Sequence, residues 1–199
     1  MSATDHWERV HASREPSLLS WYQSEPEPSL GLVRAAGLPG GRVVEVGGGT
    51  SHLVDHLVAD GYRVTVVDLS ATAIDTTRRR LGDTGWVTWV VGDILSTSLD
   101  RHDVWHDRAV LHFLVDDSAR HAYRERLLAT IPAGGAAVIG TFAPDGPITC
   151  SGLPVLRYSS TDLAAFLAPE FHLVESTTVD HETPDGRLQP FMFGRLRRP

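Results

Sequence analysis

Beyond residue 41 the chain alternates short apolar runs with longer amphipathic stretches. Residues 42–46 predict a first strand. Residues 52–59 follow as a helix, with Leu53, Leu57 and Val58 on one face, and Gly61 ends it. Residues 63–67 predict a second strand, 71–81 a helix, 87–91 a third strand and 104–106 a short fourth. In 118–130, Ala119, Tyr123 and Leu127 recur at helical spacing. A turn at 132–135 leads into 136–142, a buried fifth strand. Strands alternating with helices predict a doubly wound, mostly parallel α/β sheet with helices on both faces.

The pattern changes near the end. Residues 161–167 predict a short helix capped by Ser160 or Thr161, and 171–180 and 189–197 predict two strands joined by a turn at Pro184-Asp185-Gly186. Phe191 and Phe193 share one face of the last strand, with Met192 and Gly194 on the other. Two strands with no helix between them form an antiparallel hairpin, which completes a seven-stranded sheet. Residues 1–30 are polar and broken by Pro16, Pro26 and Pro28, yet they carry Trp7, Trp21 and Tyr22. Such aromatics predict helical pieces laid over the domain as a lid rather than a solvated tail. The expected division is thus a lid segment at 1–30 and one domain at 31–199.

Composition narrows the chemistry. The 199 residues suit a single core, and a net charge of -7 argues against a broad nucleic-acid surface. All 18 basic residues are Arg, which excludes lysine Schiff-base chemistry. Cys150 is the one cysteine, so neither an internal disulfide nor a cysteine-rich zinc site is expected. His52 and His56 have i,i+4 spacing but no convincing third ligand, so no metal is expected. No apolar run approaches the roughly 20 residues that span a bilayer, and the N-terminus lacks a signal-peptide pattern, so a cytoplasmic protein off the membrane is expected.

Three signals stand at successive strand ends. Gly47-Gly48-Gly49 follows the first strand and opens the first helix, where glycine lets backbone approach a ligand at free helical N–H groups. A tight turn with no ligand would use the same residues. Asp68, about 20 residues further on, can accept from ribose hydroxyls, or it can serve as a helix-capping acid. Asp93, in Gly92-Asp93-Ile94, can receive an adenine amino group, or it can be an ordinary loop acid.

In these three motifs and the terminal hairpin, residues 40–199 resemble the class I S-adenosylmethionine-dependent methyltransferases. Glu45, Gly47 and Gly49 match that family's first motif, with Ser51 in place of its last glycine. The resemblance implies that Glu45 organises the methionine end, Asp68 the ribose and Asp93 the adenine. Gly48, Leu69 and Ile94 complete the implied contacts to S-adenosylmethionine and its product S-adenosylhomocysteine. Trp7, Glu15-Pro16, Trp21-Tyr22 and the segment 103–114 are similar to a narrower branch that contains elongation-factor lysine methyltransferases. That branch has Lys-Gly where this chain has His106-Asp107-Arg108-Ala109. A chain of this size leaves little room for a protein-recognition module, so a small-molecule acceptor is expected. The rival expectations are a protein lysine methyltransferase and a non-catalytic S-adenosylmethionine-binding module.

Acceptor residues are sought at the end of the fourth strand. His106 has the basicity for a general base, Asp107 can orient it or a cation, and Arg108 can hold an anion. The competing assignment is an Asp107–Arg108 structural pair beside a packed histidine. His112 lies one helical turn beyond Arg108 and is either an acceptor contact or a packed histidine. The long loop 144–159 carries Cys150 and Tyr158, which either line the acceptor pocket or cap the sheet. Trp21 and Tyr22 either close over a sulfonium by cation–π contact or simply pack.

Overall fold

A computed structural model describes residues 2–37 and 40–199. The elements in chain order are α1 (Ala3–Ser13), α2 (Ser29–Ala36), β1 (Arg42–Val46), α3 (Leu53–Ala59), β2 (Arg63–Asp68), α4 (Ala71–Leu81), β3 (Val87–Val91) and β4 (Val104–Arg108). They continue as α5 (Asp117–Thr130), β5 (Ala136–Phe142), β6 (Thr149–Cys150), β7 (Leu153–Pro154), α6 (Ser160–Leu167), β8 (His172–Glu182) and β9 (Leu188–Arg197). Seven strands form one sheet in the order β3-β2-β1-β4-β5-β9-β8. β1 to β5 run parallel, and β9 enters antiparallel to β5 and to β8. Among the described residues no helix is long and apolar enough to cross a membrane.

Side chains alternate across a strand, so each central strand feeds two cores. Val43, Val104, Val138, Phe191 and Phe193 point to one face, where Leu30 and Val33 of α2 and Leu53, Val54 and Leu57 of α3 cover them. Val44, Val46, Trp105, Ala137 and Ile139 point to the other, under Tyr123 and Leu127 of α5 and Leu163 and Leu167 of α6. Local chemistry fixes the helix ends. Ser70 caps α4 by accepting from Ala73 N at 3.1 Å, and Ser159 and Asp162 form a reciprocal capping box at α6.

Three features depart from the sequence expectations. β4 does not stop at residue 106 but continues through Asp107 and Arg108, because these polar residues are paired with β1 and β5 inside the sheet. α2 was not foreseen as core, yet Leu30, Leu32, Val33 and Ala36 are buried and it packs on β4 and β5. The loop 144–159 folds a small hairpin, β6–β7, of two residues a side. α1 lies over α4 and contributes no buried residue. The Glu8 carboxylate accepts from Ser70 Oγ at 2.7 Å and from the Thr72 hydroxyl. Trp7 meets Trp21 and Phe113 edge-on, with ring centroids 5.8 and 4.9 Å apart.

Candidate active site at the carboxyl ends of the strands

One cavity of about 290 Å³ runs along the carboxyl ends of β3, β2, β1, β4 and β5, where ligands of open α/β sheets bind. It joins two chemically different halves.

The first half is built from backbone. Gly47 N donates to Val67 O at 2.8 Å, and Thr77 Oγ1 of α4 donates to Gly49 O at 2.7 Å. Arg80, salt-bridged to Asp55 at 2.6 Å, donates to the carbonyls of Thr50 and Ser51. The loop is therefore pinned from α4 before any ligand arrives. Gly47 has φ 65° and Gly49 φ 38°, a region that side chains disfavour. A Cβ at Gly47 would collide with Val110 Cγ2, and one at Gly48 would lie 2.6 Å from Val66 Cγ1. These glycines keep a cradle open at the cavity wall.

Glu45 ends beneath that cradle. It is 1% exposed, and its Oε2 is buried without a hydrogen-bond partner. Burial pushes its carboxyl up to about 8, opposed by the Ser51 hydroxyl. An unpaired buried carboxylate on a cavity wall fits a cationic ligand group. Asp68 Oδ1 accepts from Ser70 N at 2.8 Å, and burial raises this acid to about 6. Asp93 Oδ1 accepts from Leu95 N at 2.9 Å, and its carbonyl accepts from Thr97 Oγ1 at 2.7 Å. Leu69 and Ile94 line the cavity between these acids. The set suits a ligand with a cationic end, vicinal hydroxyls and an apolar ring, which are the features of S-adenosylmethionine.

The second half is built from side chains of distant segments. His106, Arg108, His112, Cys150, Trp21 and Tyr22 all line it. His106 is 3% exposed, and its Nε2 pairs with Ser29 Oγ at 2.9 Å while Nδ1 has no partner. Burial, with Arg108 adding repulsion, pushes its imidazole down to about 3. A base titrating near neutrality was expected here; in this buried setting the ring is instead held neutral and weakly basic. His112 is driven down to about 3 by the same two causes and packs against Phe113 and Phe142. Arg108 Nη1 donates to Trp21 O at 2.8 Å, and the guanidinium stacks 4.9 Å from the Phe191 centroid. Burial lowers it to about 10, so it remains charged.

Two candidates do not reach the cavity. Asp107 points to the opposite face of the sheet, because alternation along β4 separates it from His106 and Arg108. Its carboxylate accepts from Val110 N at 2.8 Å, Leu111 N at 3.0 Å and Tyr123 Oη at 2.6 Å. Asp107 is thereby corrected from a catalytic candidate to the anchor of the turn that presents His112. Nor does it pair with Arg108. Tyr158 is corrected likewise: it packs in the core beneath α6 beside Phe166. Its N–H reaches Phe142 O at 3.0 Å and its hydroxyl is buried without a partner. Burial raises that phenol to about 12.

Several lining residues escaped the sequence. Trp7 and His11 of α1, Ser29 of α2, and Gln189 and Phe191 of β9 converge here only through the fold. Trp7 was expected only as an aromatic of the lid, and His11 lies one helical turn beyond it on α1. Ala109 turns the chain after β4 at φ 73°, an unusual value for a residue with a Cβ, and its N–H is held by Gly140 O at 2.8 Å.

Comparisons with known proteins agree with this geometry. Residues 43–135 match a family model described as a methyltransferase domain. Nodulation protein S of Rhizobium tropici is 31% identical over 111 residues, covering 55% of this chain and 47% of that protein. The chain thus spans about half the length of this curated relative. The structure of N-methyltransferase NodS from Bradyrhizobium japonicum WM9, solved with S-adenosyl-L-homocysteine, superposes with a TM-score of 0.78 at 20% identity and 100% coverage of both chains. A Burkholderia thailandensis 1,6-didemethyltoxoflavin-N1-methyltransferase superposes with a TM-score of 0.70 at 22% identity, covering 98% of this chain and 84% of that one. At those identities the two structures establish the fold.

Proposed function

We propose that the chain is a class I S-adenosylmethionine-dependent methyltransferase and that it transfers a methyl group to a small-molecule acceptor held at the β4–β5 end of the cavity. One observation carries the proposal: a single cavity joins the glycine cradle and its three acids to an aromatic end. When bound, S-adenosylmethionine supplies an electrophilic methyl group on sulfur, whose bonding pair stays with sulfur as the acceptor forms its bond to carbon. Glu45 holds the methionine ammonium, Asp68 the ribose hydroxyls, and Asp93 with Leu69 and Ile94 the adenine edge. Gly47, Gly48 and Gly49 let the methionine portion lie against the loop.

Trp21 and Tyr22, backed by α1, shut out water, which favours a desolvated and aligned nucleophile. The segment before residue 29 acts as the lid, since Trp7, His11 and Trp21 cover the cavity without entering the core. His106 and His112 are too weakly basic to remove a proton from an amine or alcohol near neutrality. The acceptor therefore arrives as a free base or an already ionised group and gives up any surplus proton after transfer. One structural neighbour is by its name a methyltransferase of a small molecule, 1,6-didemethyltoxoflavin. A net charge of -7 disfavours a nucleic-acid acceptor.

The test is formation of S-adenosylhomocysteine from S-adenosylmethionine by the purified protein with a panel of small amines, ring nitrogens and phenols, and separately with lysine-bearing peptides. Turnover with small acceptors alone is the expected result. Turnover with peptides alone would replace it by protein methylation, and binding without turnover on any acceptor would leave a binding module.

A further inference from the structure

The cavity is electrically lopsided. Its acids, Glu45, Asp68 and Asp93, all line the β1–β3 end, while Arg108 is, among the described residues, the one charged guanidinium on its wall and stands at the β4–β5 end. Arg108 uses only Nη1, on the Trp21 carbonyl. Its Nε and Nη2 are shielded from solvent without a partner, and no carboxylate pairs with it among the described residues. Cys150 lies nearby but does not balance it, because burial pushes that thiol up and keeps it neutral. A second donor stands close by. His112 Nδ1 accepts from Phe142 N at 3.4 Å, so the neutral ring carries its proton on Nε2, and that N–H is buried and unpartnered too. Enclosing an unpaired guanidinium is costly, and a chain with net charge -7 offers carboxylates in abundance elsewhere.

We propose that this end of the cavity is an oxyanion subsite, and that the methyl acceptor is a planar aromatic carrying a carboxylate. The guanidinium fork and the His112 Nε2–H take the flat, two-oxygen group. The edge-packed rings of Phe142 and Phe191, 4.8 Å apart, form the wall on which the acceptor ring lies. The inference rests on the methyl-transfer function of the same site, but its test does not require turnover.

The probes are 2-aminobenzoate and quinoline-2-carboxylate, their neutral amides, and benzylamine as a cation, each titrated into the full chain saturated with S-adenosylhomocysteine. The carboxylates should bind at least about tenfold more tightly than their amides, and benzylamine should not bind. Arg108→Gln should erase that preference while S-adenosylhomocysteine affinity, measured first, stays intact. Arg108→Lys should retain a weakened preference, because charge survives and the fork does not. If Arg108→Gln does not fold, the carboxylate-to-amide ratio in the unmodified chain decides alone. Equal affinity for the amides, tighter binding of benzylamine, no carboxylate binding at millimolar concentration, or an undiminished preference in Arg108→Gln would each overturn the subsite. Failure to bind S-adenosylhomocysteine would instead strike the methyltransferase function, and is distinguished by that first titration.

Discussion

The two ends of the cavity are made in opposite ways. At the β1–β3 end, ligand-facing groups follow their strands within a few residues, and the loop is tied down by Thr77 and Arg80 whether or not anything is bound. At the β4–β5 end, the wall is assembled from Trp21, Ser29, Arg108, His112, Phe142 and Gln189, which only the strand order brings together. The first end is acidic and backbone-lined, the second cationic and aromatic. One scaffold can thus keep a constant cofactor site while the acceptor site varies with single side chains on separate elements.

The sharpest break between the ends comes at Gly47. Gly47→Ala places a methyl group against Val110 at φ 65°, so it suffers both collision and strain. S-adenosylhomocysteine affinity should fall by more than about 100-fold, equivalent to roughly 3 kcal/mol. Gly152→Ala is the matched comparison, since Gly152 also has positive φ (76°) but open space around it. It should cost about 1 kcal/mol of stability and leave affinity unchanged. Isothermal calorimetry on both variants checks this.

Asp107→Asn should act on folding and not on the cofactor end. It disturbs three buried hydrogen bonds and the Trp105–Tyr123–Asp107 chain, so about 2–3 kcal/mol of stability should be lost. Urea unfolding measures the loss. S-adenosylhomocysteine affinity of the folded variant should remain within about threefold, below 1 kcal/mol.

Glu45 ties the cofactor end to pH. Its folded-state carboxyl is raised from 4.5 to about 8, so its stabilising contribution is full below 4.5 and lost as pH rises through 8. A cationic ligand favours the ionised form, so binding should expel a proton. Affinity for S-adenosylhomocysteine should therefore rise between about pH 6 and 8, by at most tenfold per unit, and then level off. Glu45→Gln should flatten that rise. Calorimetry in buffers of different ionisation enthalpy counts the proton directly.

How far these ends were legible in the sequence follows from how they are made. The strand-end motifs lie in short windows, so Glu45, Gly47, Asp68 and Asp93 could be found together, as could the sheet whose apolar runs carry them. The predicted strand ends at His106 because the polar pair Asp107-Arg108 resembles a loop. Both are strand, and a two-residue period sends Asp107 to the other core. α1 was blurred because a helix with no buried residue leaves no apolar stripe to recognise. Ser29, Gln189 and Phe191 carry no local signature at all, since their role exists only once β9 lies beside β5 and α2 crosses β4.

The smallest effect belongs to Tyr158. Its hydroxyl is buried and unpaired outside the cavity, so Tyr158→Phe removes an unsatisfied group and leaves no partner stranded. Stability should change by less than about 0.5 kcal/mol or rise slightly, with transfer unaffected. Thermal unfolding and a turnover assay would detect any greater role.

The central claim is that the β1–β3 end binds S-adenosylmethionine through Asp68. Its most direct measurement is calorimetric titration of S-adenosylhomocysteine into the full chain near pH 8, alongside Asp68→Ala and alongside NAD. The account predicts saturable binding of S-adenosylhomocysteine, none of NAD, and a loss on the order of 1–3 kcal/mol in Asp68→Ala from the missing ribose hydrogen bonds. Heat with NAD and none with S-adenosylhomocysteine, or an affinity unmoved by Asp68→Ala, would contradict it.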